Sequence, residues 1–128
     1  MMAKLLAVAA GGALCAALRF LSVAWVTRAF PGFPWGTLAV NVLGSAVMGL
    51  AAVALMERFP GSWERFAPFL MTGVLGGFTT FSAFSLDVFF LIERGRMAAA
   101  AGYVAGSVAL SVGALWLGLM AGRAAWAP

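Results

Sequence analysis

The amino-acid sequence predicts an all-α membrane protein with four transmembrane helices, because of its composition and its long apolar runs. Hydrophobic residues make up 64% of the 128 residues and charged residues only 9%, whereas a soluble domain has roughly 45–50% and 25%. A spanning helix needs about 20 mostly apolar residues. We therefore expect a single four-helix transmembrane domain over residues 1–128, without a separate soluble domain, and with helices at about 4–28, 36–57, 66–91 and 97–122.

The first predicted helix contains one internal charge, Arg19, and is open to a second interpretation as a secretory signal peptide that follows Lys4. The apolar run continues past Arg19 to Thr27, however, which is longer than the apolar core of a signal peptide. Trp25, near its end, is typical of a membrane interface. We therefore expect the segment to be retained as a spanning helix. Cys15 is the single cysteine, so it forms no intramolecular disulfide or multi-cysteine metal site.

The second predicted helix carries two polar side chains, Thr37 and Asn41, one helical turn apart. An amide at this depth must find a hydrogen-bond partner or line a wet path. The spacing alone leaves an interhelical hydrogen bond as an equal alternative. Small residues four apart let helix backbones approach closely in lipid. Such pairs recur in the second and fourth helices: Ser45 and Gly49, Gly102 and Gly106, Ser107 and Ser111.

The third predicted helix contains the strongest local signal, because Gly76 and Gly77 precede the paired threonines of the segment FTTFSAFS at 78–85. Paired glycines beside paired β-branched residues predict a break, which a bilayer tolerates only where it is buried in protein or lines a cavity. Carbonyls freed at such a break in two chains could hold a small cation. Phe81 and Phe84 share a helix face, and their electropositive ring edges suit an anion. Spacing alone favours lipid contact or core packing for the two rings.

The fourth predicted helix places three hydroxyls on one face, because Tyr103, Ser107 and Ser111 follow one another at four-residue steps. One hydroxyl usually bonds back to its own helix, whereas three in register indicate a track of hydrogen-bond donors. Arg19, inside the first helix, is expected to be paired or functional. It either attracts anions at an aqueous vestibule or pairs with Asp87, which could also simply lie in the interface.

The basic residues predict dual topology. They are scattered singly near helix ends, unlike the clustered patch of a nucleic-acid-binding surface. With the N-terminus inside, four basic residues lie on the cytoplasmic side and three on the opposite side, so the positive-inside rule has little to act on. The chain is therefore expected to insert both ways up and to form an antiparallel homodimer. The two sets are Lys4, Arg58, Arg65 and Arg123, and Arg28, Arg94 and Arg96.

The sequence argues against an enzyme. It has no histidine, no carboxylate deep in a span, and no Ser/His or Cys/His set, so acid–base and nucleophilic catalysis lack their usual groups. A proton-coupled pump would lack its relay for the same reason.

Over nearly its whole length the chain resembles the CrcB/Fluc fluoride channels, and the match at 76–85 is highly specific. Two positions depart from the family pattern: Ala83, where threonine is frequent, and Asp87, where glutamate is common. Neither departure removes a motif residue. The matching pieces are Gly11-Gly12, Arg19-Phe20, Gly36-Thr37-Leu38, Val40-Asn41, Gly44 and GGFTTFSAFS at 76–85.

The resemblance implies an antiparallel dimer in the cell inner membrane that exports fluoride passively through two pores and so lowers cytoplasmic fluoride. It also implies a structural Na⁺ at the dimer interface, held by the main-chain carbonyls of Gly76 and Thr79. Arg19 is then expected at a vestibule. The residues that would line the fluoride path are Thr37, Asn41, Phe81, Phe84, Tyr103, Ser107 and Ser111.

Two other functions remain as alternatives. A small four-helix drug-exporting transporter is also a dual-topology dimer, but it would need a carboxylate in the first helix, where this sequence has only Arg19. A membrane assembly subunit without a transport path would need only apolar packing, and it leaves Asn41 and the hydroxyl row unexplained.

Overall fold

The computed structural model describes residues 1–126 and consists of four long helical spans joined by short connections. Each span is long and apolar enough to cross a membrane, as the composition predicts. We refer to them in chain order as the first to fourth spans. Their bounds are Met2–Ala29, Trp35–Arg58, Pro60–Glu93 and Met97–Ala125.

The second and third spans are not uniform α-helices. The second is α-helical over Trp35–Val53 and ends in a wider π-helical turn, Ala54–Arg58. The third begins with a 3₁₀ turn at Pro60–Ser62 and a short α-helix, Trp63–Ala67. It becomes π-helical over Pro68–Leu75, a segment that begins at a proline, which removes one backbone N–H donor from the helix. One further turn, Gly76–Phe78, and the helix Phe81–Glu93 complete it.

The second and fourth spans form the most extensive helix–helix contact, and glycine makes their close approach possible. A β-carbon at Gly118 would overlap the carbonyl oxygen of Ala46, and one at Gly49 would overlap that of Leu115. The predicted role of small residues in packing therefore holds at Gly49. Gly102 and Gly106 differ, because the positions of their β-carbons have no protein atom within 4 Å.

The first span packs against the second and third, also through glycines. A β-carbon at Gly36 would lie 2.9 Å from the Val23 carbonyl oxygen, and one at Gly77 would lie 3.0 Å from the Cα of Gly12. Two spans that approach at this distance leave no room for side chains between them. The third span is therefore fixed against the first immediately before its threonine pair.

The outer surfaces of the spans are apolar, with exposed leucine, valine, phenylalanine and tryptophan side chains, as expected for helices that face lipid. Inside, a small core of Phe84, Leu91, Ala100 and Tyr103 joins the third and fourth spans. At the end of the bundle that carries the N-terminus, Arg123 forms an ion pair with Glu57, donating from Nε to both carboxylate oxygens and from Nη2 to Oε1 at 2.7 Å. This pair ties the π-helical end of the second span to the end of the fourth.

Candidate functional site

The backbone of the third span leaves helical geometry at Thr79 and Thr80. Their φ and ψ angles are −83° and 156°, and −154° and 118°, which are extended conformations. The Thr79 hydroxyl donates to the Leu75 carbonyl at 3.0 Å, and the Thr80 hydroxyl accepts from the Ala83 N–H at 3.2 Å. Each threonine therefore caps the helical segment on its own side. We call these two residues the 79–80 linker.

Asn41 of the second span is bonded to the linker through both ends of its amide. Its Oδ1 accepts from the Thr80 N–H at 2.7 Å, and its Nδ2 donates to the Thr80 carbonyl at 3.0 Å. The two bonds satisfy a backbone donor and acceptor that are not in helical geometry, as a low-dielectric environment requires. One of the two Nδ2 hydrogens remains available. The sequence left an interhelical bond and a wet path as equal alternatives, and the structure shows the bond, on a side chain that also lines a cavity.

Gly44, one helical turn after Asn41, allows the second span to approach the linker. A β-carbon there would overlap the Thr79 side chain and lie 3.3 Å from the ring of Phe78. Asn41 and Gly44 therefore contribute to the same contact. The Asn41 amide is hydrogen-bonded to the linker, and Gly44 leaves space for the linker beside the second span.

Arg19 of the first span reaches the linker from another side. Its guanidinium Nη1 donates to the Thr79 carbonyl at 3.3 Å. Asp87 accepts instead from the Tyr103 hydroxyl, with its Oδ2 3.0 Å away. In the part of the chain that the structure describes, Arg19 and Asp87 form no ion pair, so the pairing that the sequence left open is not made.

A cavity of about 350 Å³ lies between the linker, the second span and the fourth. We call it the hydroxyl cavity. The Ser107 side chain is buried, and its Oγ has no hydrogen-bond partner among residues 1–126, whereas most buried polar groups in proteins are bonded. The other polar or aromatic lining residues are Asn41, Ser45, Thr79, Thr80, Phe81, Phe84 and Ser111.

The two phenylalanines of the predicted site differ in environment. Their ring centroids are 5.3 Å apart, but Phe84 is buried whereas Phe81 is 77% exposed. Phe84 also packs on Tyr103, at 5.1 Å between centroids. Core packing, which spacing alone favoured, therefore holds for Phe84, and both rings line the hydroxyl cavity.

Two more cavities continue toward the loops at the other end of the bundle. One of about 490 Å³, the Arg19 cavity, is lined by Arg19, Ser82, Thr37 and Thr80 among others. A smaller one of about 200 Å³ is lined by Thr37, Asp87 and Arg94 among others. Thr80 borders both the hydroxyl cavity and the Arg19 cavity, and Thr37 borders both the Arg19 cavity and the smaller one. The three cavities therefore form a series along the spans.

The structure divides the predicted hydroxyl row of the fourth span. Ser107 and Ser111 line the hydroxyl cavity, whereas Tyr103 is 1% exposed and its hydroxyl is bonded to Asp87. The three residues share a helix face, but Tyr103 does not line the same cavity.

The carbonyls that the resemblance assigns to Na⁺ fit a hard cation in part. The Thr80 N–H donates to Asn41, so the Gly76 carbonyl lacks the donor it would have in a continuous α-helix. The Thr79 carbonyl has two lone pairs, and Arg19 occupies one of them. Among the described residues no cluster of His, Cys, Asp or Glu could hold a metal. Two carbonyls per chain are too few ligands for one ion, so a second copy would have to complete the set.

Sequence reasoning missed the central position of Thr80, which caps a helix, bonds Asn41 at two atoms and borders two cavities. The available signal was the pair of threonines between two helical segments, because threonine is a common N-cap.

Four apolar spans around a series of cavities lined by hydroxyls, an amide and aromatic rings define a small multi-pass membrane protein of the channel or transporter class. The family model described as "CrcB-like protein, Camphor Resistance (CrcB)" matches residues 6–119. The chain therefore belongs to the CrcB family.

Curated relatives match the chain over almost its full length. A protein of Cereibacter sphaeroides is 54% identical over 98% of this chain and 95% of its own length. One of Paracoccus denitrificans is 52% identical over 95% and 96%, and one of Erythrobacter litoralis is 49% identical over 91% and 89%. Each of these relatives is named "Fluoride-specific ion channel FluC".

Proposed function

We propose that this protein is a fluoride-specific channel that exports fluoride passively and so lowers cytoplasmic fluoride. The observation that carries the proposal is the hydroxyl cavity, in which the buried Ser107 Oγ has no partner among the described residues. The names of relatives at about 50% identity support the choice of ion. A channel of this kind makes and breaks no covalent bonds, so the protein is not an enzyme.

Fluoride is small and strongly hydrated, so conduction requires donors that replace its water and hold it weakly enough to let it leave. Ser107 and Ser111 supply hydroxyl donors, and Asn41 has one amide hydrogen not used by Thr80. Phe81 and Phe84 offer ring edges that attract an anion without a full charge. Thr37, which borders the other two cavities, continues the polar path toward the loops, and Tyr103 contributes behind it through its hydrogen bond to Asp87.

The electrostatics of the third span favour an anion on the Phe81 side of the linker. The helix Phe81–Glu93 begins immediately after the linker, and the N-terminal end of a helix carries a partial positive charge. Arg19 borders the next cavity in the series. Its charge at this vestibule raises the local concentration of anions.

The working unit of the proposal is an antiparallel homodimer of dual topology in the cell inner membrane. The charge count, four basic residues against three, gives the chain little reason to choose one orientation. The third span acts as a helix broken at the linker, and the two breaks meet at the two-fold axis. The main-chain carbonyls of Gly76 and Thr79 from both chains would hold a structural Na⁺ there. A cation at that point supplies compensating charge for unpaired carbonyls.

Fluoride efflux from liposomes that contain the purified protein tests the function. Fluoride-loaded vesicles are diluted into fluoride-free buffer, and release is followed with a fluoride electrode, with a potassium ionophore to dissipate the membrane potential. Release of fluoride well above protein-free vesicles, with no release of chloride from matched vesicles, is the expected result. Equal release of both ions would contradict selectivity, and release of neither would contradict the proposed function.

A further inference from the structure

Asn41 differs from Ser107 of the same cavity because both polar atoms of its amide are bonded within the protein. Its Oδ1 accepts from the Thr80 N–H at 2.7 Å and its Nδ2 donates to the Thr80 carbonyl at 3.0 Å, which uses two of the four hydrogen bonds that the amide can make. Ser107 Oγ, by contrast, has no partner among residues 1–126. A side chain that is already engaged on both atoms is poorly suited to serve chiefly as an ion ligand.

The Thr80 backbone, to which Asn41 is bonded, lies outside the helical segments of the third span. Thr80 has extended torsions and lies between the turn Gly76–Phe78 and the helix Phe81–Glu93. Its hydroxyl accepts from the Ala83 N–H and caps the second helix. The orientation of the Thr80 backbone therefore determines where the helix Phe81–Glu93 begins, and with it the positions of Phe81 and Phe84.

We infer that Asn41 is a positioning residue. Its two hydrogen bonds to the Thr80 N–H and carbonyl, which we call the clasp, hold the cavity-lining part of the third span in its conducting arrangement. The two bonds form a closed pair between one side-chain amide and one backbone residue, which resists rotation better than a single bond does. Gly44 supports the same contact, since any β-carbon there would overlap Thr79. Loss of the clasp frees the linker without removing Ser107 or Ser111 from the cavity.

Hydrogen exchange tests the clasp independently of transport, and flux measurements that rest on the proposed function test its consequence. Asn41→Val removes both bonds. Asn41→Ser keeps a hydroxyl that can face the cavity but is too short to bond both Thr80 groups. Leu43→Val is the matched control, since Leu43 is exposed on the same helix and borders none of the three cavities. All variants are compared as dimers of wild-type size by size-exclusion chromatography.

We expect the linker amides in peptides covering 78–84 to exchange at least tenfold faster in both Asn41 variants than in the wild type and Leu43→Val. Maximal fluoride flux should fall at least tenfold in both Asn41 variants. In Asn41→Ser the fluoride concentration for half-maximal flux should stay within about twofold of wild type, because the remaining ligands are intact.

Unchanged exchange at the linker in Asn41→Val would overturn the inference. So would wild-type maximal flux in Asn41→Ser with a raised half-saturating concentration, because that result assigns Asn41 to direct ion binding. If wild-type protein conducts no fluoride, the proposed function fails, while the exchange measurement still decides whether the clasp exists.

Discussion

The contact between the second and fourth spans gives a sharp prediction about stability, because two glycines on one helix have opposite surroundings. A β-carbon at Gly118 would overlap the Ala46 carbonyl oxygen and lie 3.2 Å from the Leu50 amide nitrogen. The β-carbon position at Gly113 has nothing within 4 Å. The perturbation is therefore Gly118→Ala, with Gly113→Ala as its control.

Both substitutions gain helix propensity, about 0.5–1 kcal/mol for glycine to alanine, so this gain cancels in the comparison. Gly118→Ala additionally forces two helix backbones apart, and overpacking of this kind costs about 1–3 kcal/mol. The upper part of that range applies here, because the atoms in the way are backbone atoms that cannot rotate aside. We expect Gly118→Ala to be less stable than Gly113→Ala by about 2–3 kcal/mol.

Thermal unfolding of the purified protein in detergent, followed by the far-ultraviolet circular dichroism signal of its helices, measures the difference. Gly113→Ala should unfold at or above the wild-type midpoint, and Gly118→Ala clearly below it. Equal midpoints for the two variants would refute the assigned packing of the second and fourth spans. Failure of Gly118→Ala to fold would agree with the prediction only if Gly113→Ala folds normally.

Three further predictions concern the proposed channel. Phe81→Ile and Phe84→Ile should both strongly reduce fluoride flux and retain the dimer, and wild-type flux in both would contradict a ring-edge role. Both variants lose the pair between the two rings, but Phe84→Ile also loses its buried contact with Tyr103 and should therefore be less stable than Phe81→Ile by about 0.5–1.5 kcal/mol. A thiol-specific reagent should label Trp126→Cys in a Cys15→Ser background from both sides of the membrane in similar amounts, whereas labelling from one side would contradict dual topology. Exchange of sodium for a large organic cation should lower flux, and unchanged flux after exhaustive sodium removal would contradict a structural Na⁺.

The four spans were predictable from the sequence because a bilayer requires long apolar helices whatever their tertiary contacts. The position of the residues with extended torsions was harder to predict from the sequence. The paired glycines beside the paired threonines predicted a break in this segment but not which residues would be extended. Gly76 and Gly77 are helical, and the extended residues are the threonines. The physical reason is that Gly77 allows the first span to pack closely, since a β-carbon there would lie 3.0 Å from the Cα of Gly12. The threonine hydroxyls instead cap the helical segments on either side of the extended residues.

The partners of the polar side chains could not be predicted in the same way, because helical periodicity is local and these bonds join different spans. Asn41 meets Thr80 and Arg19 meets Thr79 across 39 and 60 residues of sequence. Periodicity showed which side chains share a face but not which face meets which helix. The same limit explains why Tyr103 was grouped with Ser107, although its hydroxyl is bonded to Asp87.

The linker brings two opposite electrostatic preferences close together. The helix that starts at Phe81 presents the positive end of its dipole, whereas the turn that ends at Phe78 presents carbonyls and the negative end. The proposed anion path and the proposed cation site would therefore both depend on the same two extended residues, and neither would require a charged side chain of its own. Arg19 connects them, because its guanidinium donates to the Thr79 carbonyl while it borders the adjoining cavity. A bound sodium would take the remaining lone pair of that carbonyl, and it would leave the Arg19 charge directed toward the anion side.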